Sequence, residues 1–229
     1  MKKIVFDTGP LITFALNNLY FTLERLKEFY PGDFVITPSV VQEAIDKPLE
    51  SKRFKLEALQ LLKLVRGGII VKEEYPELKD ETNNLLMLAN SIFKAQDNYI
   101  KIVHYGETES LCHALHVEAE ALVIDEYVTR TIVENPMTLK KRLERKLHQH
   151  IEVEKSRLNE FNRITKKMKI IRSVELLTVA FELGLLDDYK LLPKNPGKNL
   201  LDAILWGAKL NGCSVSEEEI GRIIKAERL

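Results

Sequence analysis

The chain has 229 residues, of which 45% are apolar and 30% are charged, and its 34 basic and 34 acidic side chains cancel. This composition allows one large domain with a buried core, and the neutral total neither favours nor excludes a polyanionic partner. Cys112 and Cys213 are too few for a disulfide framework, so we expect two core thiols. No apolar run reaches the roughly 18 residues of a membrane span, and the N-terminal apolar run is too short for a signal peptide. We therefore expect a cytoplasmic protein without a membrane segment.

Strands and helices are predicted to alternate along the first part of the chain. Short apolar runs bounded by turn residues predict strands at 3–6, 34–36, 69–71 and 121–124, and helical spacing predicts helices at 11–29, 56–65, 80–96 and 107–117. Ser39 and Gln42 match a capping box, so a further helix would begin at Ser39 and carry Glu43 in its first turn. Strands that are short and uniformly apolar are typical of parallel sheets covered on both faces. We predict an α/β fold, an α/β/α sandwich with a short central parallel sheet and helical additions.

The composition changes after Pro136. Residues 138–169 contain eleven basic and four acidic side chains and one apolar stripe at helical spacing. A single helix over 139–168 would be about 45 Å long, about the diameter of a compact chain of this size. It must cross the molecule, protrude or fold back, and Asn159 and Asn162 are the expected bend. We divide the chain into a core at 1–136, a basic helical insertion at 137–169 and a C-terminal part at 170–229 that packs back on the core.

Four acidic residues stand at the ends of predicted elements. Asp7 and Asp125 follow strands, whereas Glu43 and Glu107 lie in first turns of helices. Singly, each has an ordinary explanation as a turn residue or as a partner of the helix dipole. The carboxyl ends of parallel strands share one edge of the sheet, however, so these acids would meet there. Two carboxylates about 5 Å apart repel by roughly 3 kcal/mol at an effective dielectric constant of 20. Mg²⁺ or Mn²⁺ would compensate this repulsion, and such a cluster suits phosphodiester hydrolysis.

Four segments carry a resemblance to a known family. Residues 5–12, 36–43, 106–115 and 122–130 resemble, in this order, the four motifs of PIN (PilT N-terminus-like) domains, in the mostly prokaryotic subgroup with a Gly-Glu third motif. The resemblance implies that Asp7, Glu43, Glu107 and Asp125 bind Mg²⁺ or Mn²⁺ and are catalytic. It also implies cleavage of single-stranded RNA, either by a toxin that an antitoxin-type protein neutralises or by an RNA-processing nuclease.

The sequence departs from the PIN pattern in three places. Glu107 stands where most members have Asp, and Glu109 competes with it; residues two apart on a helix point to different sides, so we favour Glu107. Arg172 and Ser173 stand where a Gly and a small hydroxyl residue are expected. The 137–169 segment is much longer than in the subgroup.

The insertion suggests a surface for RNA. A basic helix can track a phosphate backbone, and the residues predicted to contact RNA are Arg130, Lys140, Lys141, Arg142, Arg145 and Lys146. The alternative is a solvated face of a hairpin that packs on the body or on a second subunit of a homodimer, with Arg130 paired to Glu126. Thr8 could orient a metal-bound water or merely cap its turn.

The function predicted from the sequence is a metal-dependent endoribonuclease. The main alternative is a catalytically silent PIN-fold module that binds RNA or protein. An aspartyl-nucleophile phosphatase is disfavoured, because Gly9 stands where such enzymes need a second Asp.

Overall fold

The computed structural model describes residues 2–227, and the bounds of its elements follow. The strands are β1 (Lys3–Phe6), β2 (Asp33–Ile36), β3 (Ile70–Lys72), β4 (Phe93–Ala95), β5 (Asn98–Tyr99), β6 (Ala121–Val123), β7 (Glu152–Val153) and β8 (Ile170–Ile171). The helices are α1 (Thr8–Leu16), α2 (Tyr20–Phe29), α3 (Pro38–Val41), α4 (Lys47–Glu50), α5 (Lys55–Arg66), α6 (Leu78–Ala89), α7 (Tyr105–His116), α8 (Tyr127–Glu134), α9 (Pro136–Leu147), α10 (Lys155–Thr165), α11 (Ser173–Glu182), α12 (Pro196–Leu210) and α13 (Glu217–Ala226). A π-helical turn, Gln42–Asp46, joins α3 to α4, and a 3-10 turn, Asp187–Tyr189, lies between α11 and α12.

A parallel sheet of five strands forms the centre of the molecule. Its order is β3-β2-β1-β6-β8, and every neighbouring pair is parallel. In this register Phe6 of β1 lies opposite Ile36 of β2 and Val123 of β6. The carboxyl ends of the three middle strands therefore meet at one edge, as the sequence predicted.

Helices cover both faces of this sheet. Because side chains alternate along a strand, Phe6 and Val123 point to one face, where α1, α2, α5 and α11–α13 pack. Val5 and Leu122 point to the other face, which α6, α7, α9 and α10 cover. The α/β/α sandwich is confirmed.

The basic insertion folds back as a helical hairpin. Helix α9 ends where His148 adopts a left-handed conformation with φ of 53°, and β7 then pairs antiparallel with β4 in a second sheet, β5-β4-β7. The predicted bend at Asn159 and Asn162 is wrong, since both lie inside α10. The bend occurs earlier because the chain must return to bury Ile151, whose side chain is inaccessible to solvent.

Three other local predictions differ from the structure. The predicted helix at 11–29 is broken at Asn18, whose φ of 56° is one that Asn tolerates. The predicted helix at 80–96 ends at Ala89 and is followed by the β4–β5 hairpin. Ser39 does not cap its helix, which already begins at Pro38.

Two predictions on composition can be compared with the structure. Cys112 and Cys213 are both buried free thiols, as expected. Within residues 2–227, helices long and apolar enough to cross a bilayer are absent.

Candidate metal centre

Asp7 lies at the carboxyl end of β1 and caps helix α1. Its backbone N–H donates to the carbonyl of Val123 in the neighbouring strand β6 (3.0 Å). Its carboxylate accepts only long hydrogen bonds, from the backbone N–H of Gly9 and from the hydroxyl of Ser110, both at 3.4 Å. Asp7 is nevertheless only 6% exposed. The position therefore combines deep burial with weak hydrogen bonding.

Burial and neighbouring acids disfavour the charged form of Asp7. The pKa of Asp7 is raised to about 7; loss of water is the largest cause, and the negative charges of Glu107 and, more weakly, of Glu43 add to it. The backbone N–H groups of Gly9 and Thr8 oppose this shift only in part. A carboxylate in this environment lacks a compensating positive charge.

Glu43 reaches the same edge from the π-helical turn. The hydroxyl of Thr8 donates to its Oε2 (3.1 Å), so Thr8 orients Glu43. Its Oε1 lies against Gly106, where an added Cβ would be 3.1 Å away. The absence of a side chain at Gly106 thus leaves room for Glu43 beside the first turn of α7. The π-helical turn that carries Glu43 is wider than an α-helical turn, and single π-helical turns are common at functional sites.

Glu107 lies near enough to Asp7 for its charge to raise the pKa of Asp7, whereas Glu109 is turned to α3. The Oε2 atom of Glu107 accepts hydrogen bonds from the hydroxyl of Thr129 (2.8 Å) and from the backbone N–H of His104 (3.2 Å). Burial raises the pKa of Glu107 despite these two donors. Glu109 instead accepts from the backbone N–H of Ser39 (2.8 Å), at the start of α3.

Asp125 follows β6, the strand beside β1, but its carboxylate is already occupied. The backbone N–H of Ser173 donates to Oδ1 (2.7 Å), and the hydroxyls of Ser173 and Thr13 donate to Oδ2 at 2.8 and 2.7 Å. Gly9 lies between the two aspartates: an added Cβ there would be 3.5 Å from Asp125 Cβ and 3.8 Å from Asp7 Oδ2. Asp125, 1% exposed, therefore ties α1, β6 and α11 together next to Asp7.

The donor set fits a hard divalent cation in its chemistry. Asp7, Glu43 and Glu107 offer carboxylate oxygens, which Mg²⁺ and Mn²⁺ prefer. In the described part of the chain, no three acidic, His or Cys side chains stand close enough together to enclose an ion without rearrangement. Glu43 has the freedom to close this gap, because its side chain is exposed.

The predicted RNA-contacting residues are distributed over α8 and α9. Arg130 pairs with Glu134 (3.1 Å), not with Glu126, which caps α8 by accepting from the N–H of Thr129 (2.7 Å). Lys140 pairs with Glu144 (3.2 Å). The remaining members of the predicted set are exposed on α9: Lys141, Arg142, Arg145 and Lys146.

The hydroxyl residues that hold the acids were not predicted from the sequence. Thr13, Ser110 and Thr129 carry no motif of their own, and their contacts join residues far apart in the chain. Ser173 had a signal, since a small hydroxyl residue was expected at this place.

Comparison with known proteins adds little. No family model matches the chain, and the search of curated proteins found no match. Among solved structures, the chain is similar to the crystal structure of VapBC2 from Rickettsia felis bound to a DNA fragment from their promoter, with a TM-score of 0.43, 12% identity and coverage of 74% of this chain and 98% of that chain.

Proposed function

We propose that this protein is a metal-dependent endoribonuclease that hydrolyses phosphodiester bonds of single-stranded RNA. The observation that carries the proposal is the environment of Asp7. Its carboxylate is buried at the carboxyl edge of a parallel sheet, and the pKa of Asp7 is raised to about 7 by burial and by the charges of Glu107 and Glu43. A buried group with such a deficit of positive charge is typical of a functional site.

Each acid has a defined part in this proposal. Asp7, Glu43 and Glu107 would hold Mg²⁺ or Mn²⁺, which when bound supplies positive charge at the phosphate and acidifies a water. Thr8 and Thr129 hold the carboxylates of Glu43 and Glu107 in position (3.1 and 2.8 Å). Asp125 accepts three hydrogen bonds, which leaves an acceptor position on its Oδ1 for a cation, but we assign it first to positioning β6 beside Asp7.

Cleavage of a labelled single-stranded RNA tests the proposal. We expect cleavage with Mn²⁺ or Mg²⁺, no cleavage with EDTA, and a loss on the order of a hundredfold in Asp7→Asn. If the wild type and Asp7→Asn leave the same residual activity, the protein is not a nuclease that uses this site.

Two pairs of variants test the assignment of the other acids. Glu107→Gln is expected to lose activity and Glu109→Gln, on the same helix, to keep it, because Glu109 is turned to Ser39. Glu43→Gln is likewise paired with Asp46→Asn, an exposed acid in the same π-helical turn. Equal losses within either pair would argue against these assignments.

A catalytically silent module is the second candidate. Its support is the three hydrogen bonds that the carboxylate of Asp125 already accepts and the absence, within residues 2–227, of a closed cluster of ligands. Titration calorimetry with Mn²⁺ separates the two candidates. Heat of binding that Asp7→Asn abolishes supports the nuclease, whereas RNA binding without metal binding or cleavage supports the silent module.

A cellular role as a toxin is a separate proposal. An antitoxin-type partner follows from the resemblance to PIN domains, whereas the homodimer is suggested by the apolar stripe of the insertion and the cytoplasmic location by the apolar runs and cysteines of the sequence. Growth arrest on expression of the wild type, but not of Asp7→Asn, would support a toxin, and unimpaired growth would favour RNA processing.

A further inference from the structure

The start of helix α8 connects the acidic edge to the basic insertion. Tyr127 is the first residue of α8 and follows Asp125 by two positions. In the same turn, Thr129 donates its hydroxyl to Glu107 (2.8 Å). The first turn of α8, which carries Tyr127, is therefore anchored to Glu107.

Arg142 of the insertion is held against Tyr127. Its guanidinium carbon lies 3.8 Å from the centre of the Tyr127 ring, and that of Arg130 lies 5.7 Å away. Both distances are in the range of cation–π attraction, which favours the stacked arrangement of a planar guanidinium on an aromatic face. The contact attaches α9 to α8 and gives the Arg142 side chain a defined place.

Arg142 has no acidic partner, unlike Lys140 and Arg130. Lys140 is neutralised by Glu144 (3.2 Å) and Arg130 by Glu134 (3.1 Å). Among the described residues, Arg142 has neither a salt bridge nor a side-chain hydrogen bond, and it is exposed. Lys141 and Lys146 are exposed too, but no aromatic ring fixes them. Arg142 thus combines a fixed position with free N–H donors.

We propose that Arg142, positioned by Tyr127, binds a backbone phosphate of single-stranded RNA next to the bond that is cut. This proposal rests on the proposed function and assigns the substrate contact within it. A stacked guanidinium presents its N–H edge to solvent, and that edge fits the two oxygens of a phosphodiester. Helix α9 has five basic residues and one acidic residue, so its charge suits a polyanionic strand leaving the site.

Binding to a fluorescently labelled oligouridylate in EDTA, measured by anisotropy with the full chain, tests the proposal without catalysis. Arg142→Gln is expected to weaken binding about tenfold and to reduce the slope of log Kd against log salt concentration by about 0.7. Tyr127→Leu keeps every charge and is expected to weaken RNA binding similarly. Tyr127→Phe keeps the aromatic ring and is expected to bind RNA as tightly as the wild type. Arg163→Gln, an exposed arginine on α10 of the same insertion, is the control for loss of one charge.

The results decide between a positioned contact and two simpler explanations. If Arg142→Gln and Arg163→Gln weaken binding equally, the insertion acts only through its overall charge and the proposal is wrong. If Arg142→Gln lowers the melting temperature but leaves Kd unchanged, the stack is structural and the proposal is equally wrong.

Cleavage kinetics separate this proposal from the proposed function. In an active enzyme, Arg142→Gln should raise KM with little change in kcat. Binding that depends on Arg142 without any cleavage would refute the nuclease and leave the contact standing. Cleavage with a KM that Arg142→Gln does not alter would refute the contact and leave the nuclease standing.

Discussion

Asp7 lost most of its contact with water when the chain folded and gained two negatively charged neighbours. The pKa of Asp7 is raised from 3.8 to about 7, with burial as the largest cause and the charge of Glu107 next. In the metal-free protein this residue opposes folding, because the unfolded chain releases the proton more readily than the folded chain does. A residue kept at such a cost usually serves function rather than stability.

The stability of the metal-free protein should therefore depend on pH through Asp7. Between about pH 4 and pH 7 the folded state binds more protons than the unfolded state, so the free energy of unfolding falls as pH rises and then levels off. The loss is on the order of a few kcal/mol. Urea unfolding in EDTA at several pH values measures this loss of stability. In Asp7→Asn the free energy of unfolding should fall less as pH rises than it does in the wild type. Identical pH profiles of the two proteins would contradict the assigned environment of Asp7.

The stability of the protein should also depend on pH through His113, in the direction opposite to that for Asp7. It is 3% exposed on α7, and its Nε2 lies 3.2 Å from Glu73, which also pairs with Lys3 (2.6 Å). Burial lowers the pKa of His113 below 6.5; Glu73 raises it, while Lys3 and His116 lower it further.

Acidification should destabilise the fold through His113. Below pH 6.5 the unfolded chain takes up a proton that the folded chain resists, so stability is present above this pH and is lost as pH falls. In an acid-unfolding series monitored by circular dichroism, His113→Gln should therefore lose less stability below pH 6.5 than the wild type does. If the variant loses stability over the same pH range and to the same extent, His113 is not responsible.

At the scale of elements, the π-helical turn and the start of α7 must fit each other. Glu43 lies on Gly106 so closely that an added methyl would be 3.1 Å from its Oε1. We expect Gly106→Ala to displace the Glu43 carboxylate and to lower the nuclease activity about tenfold. Stability should change by less than about 1 kcal/mol, because the displaced group is the exposed end of a side chain and Ala favours a helix.

A second glycine supplies the control for this prediction. Gly221 lies in α13 with no atom within 4 Å of an added Cβ. Gly221→Ala should leave activity unchanged and stabilise the protein slightly. Equal activity in both alanine variants would show that the fit of Glu43 on Gly106 is unimportant.

At the scale of the whole molecule, the insertion shares a core with the central sheet. Phe161 of α10 is 1% exposed and packs in the same cluster as Val5 of β1. Phe161→Ala should lower the free energy of unfolding by about 3–5 kcal/mol and leave a single unfolding transition. Ile164→Ala, on the same helix but 41% exposed, should lower the free energy of unfolding by less than about 1 kcal/mol. A separate transition in Phe161→Ala would instead mark the insertion as an independent unit.

The central sheet and the acids at its edge follow from local signals in the sequence. Val5, Phe6 and Leu122 belong to short apolar runs that end in turn residues, and this local signal is enough to predict buried parallel strands. The placement of Asp7 and Asp125 at one edge follows from the pattern, since parallel strands end at one edge; the adjacency of their strands is a finding of the structure.

The contacts that each carboxylate makes at this edge depend on packing between distant parts of the chain. Asp125 is bound by Thr13, 112 residues away, and Glu109 by Ser39, 70 residues away. The insertion likewise bends at His148 rather than at Asn159, because the burial of Ile151 against distant residues outweighs local turn preference. Contacts between residues this far apart leave no trace in local spacing, so the hydrogen-bond partners of each carboxylate could not be predicted from the sequence.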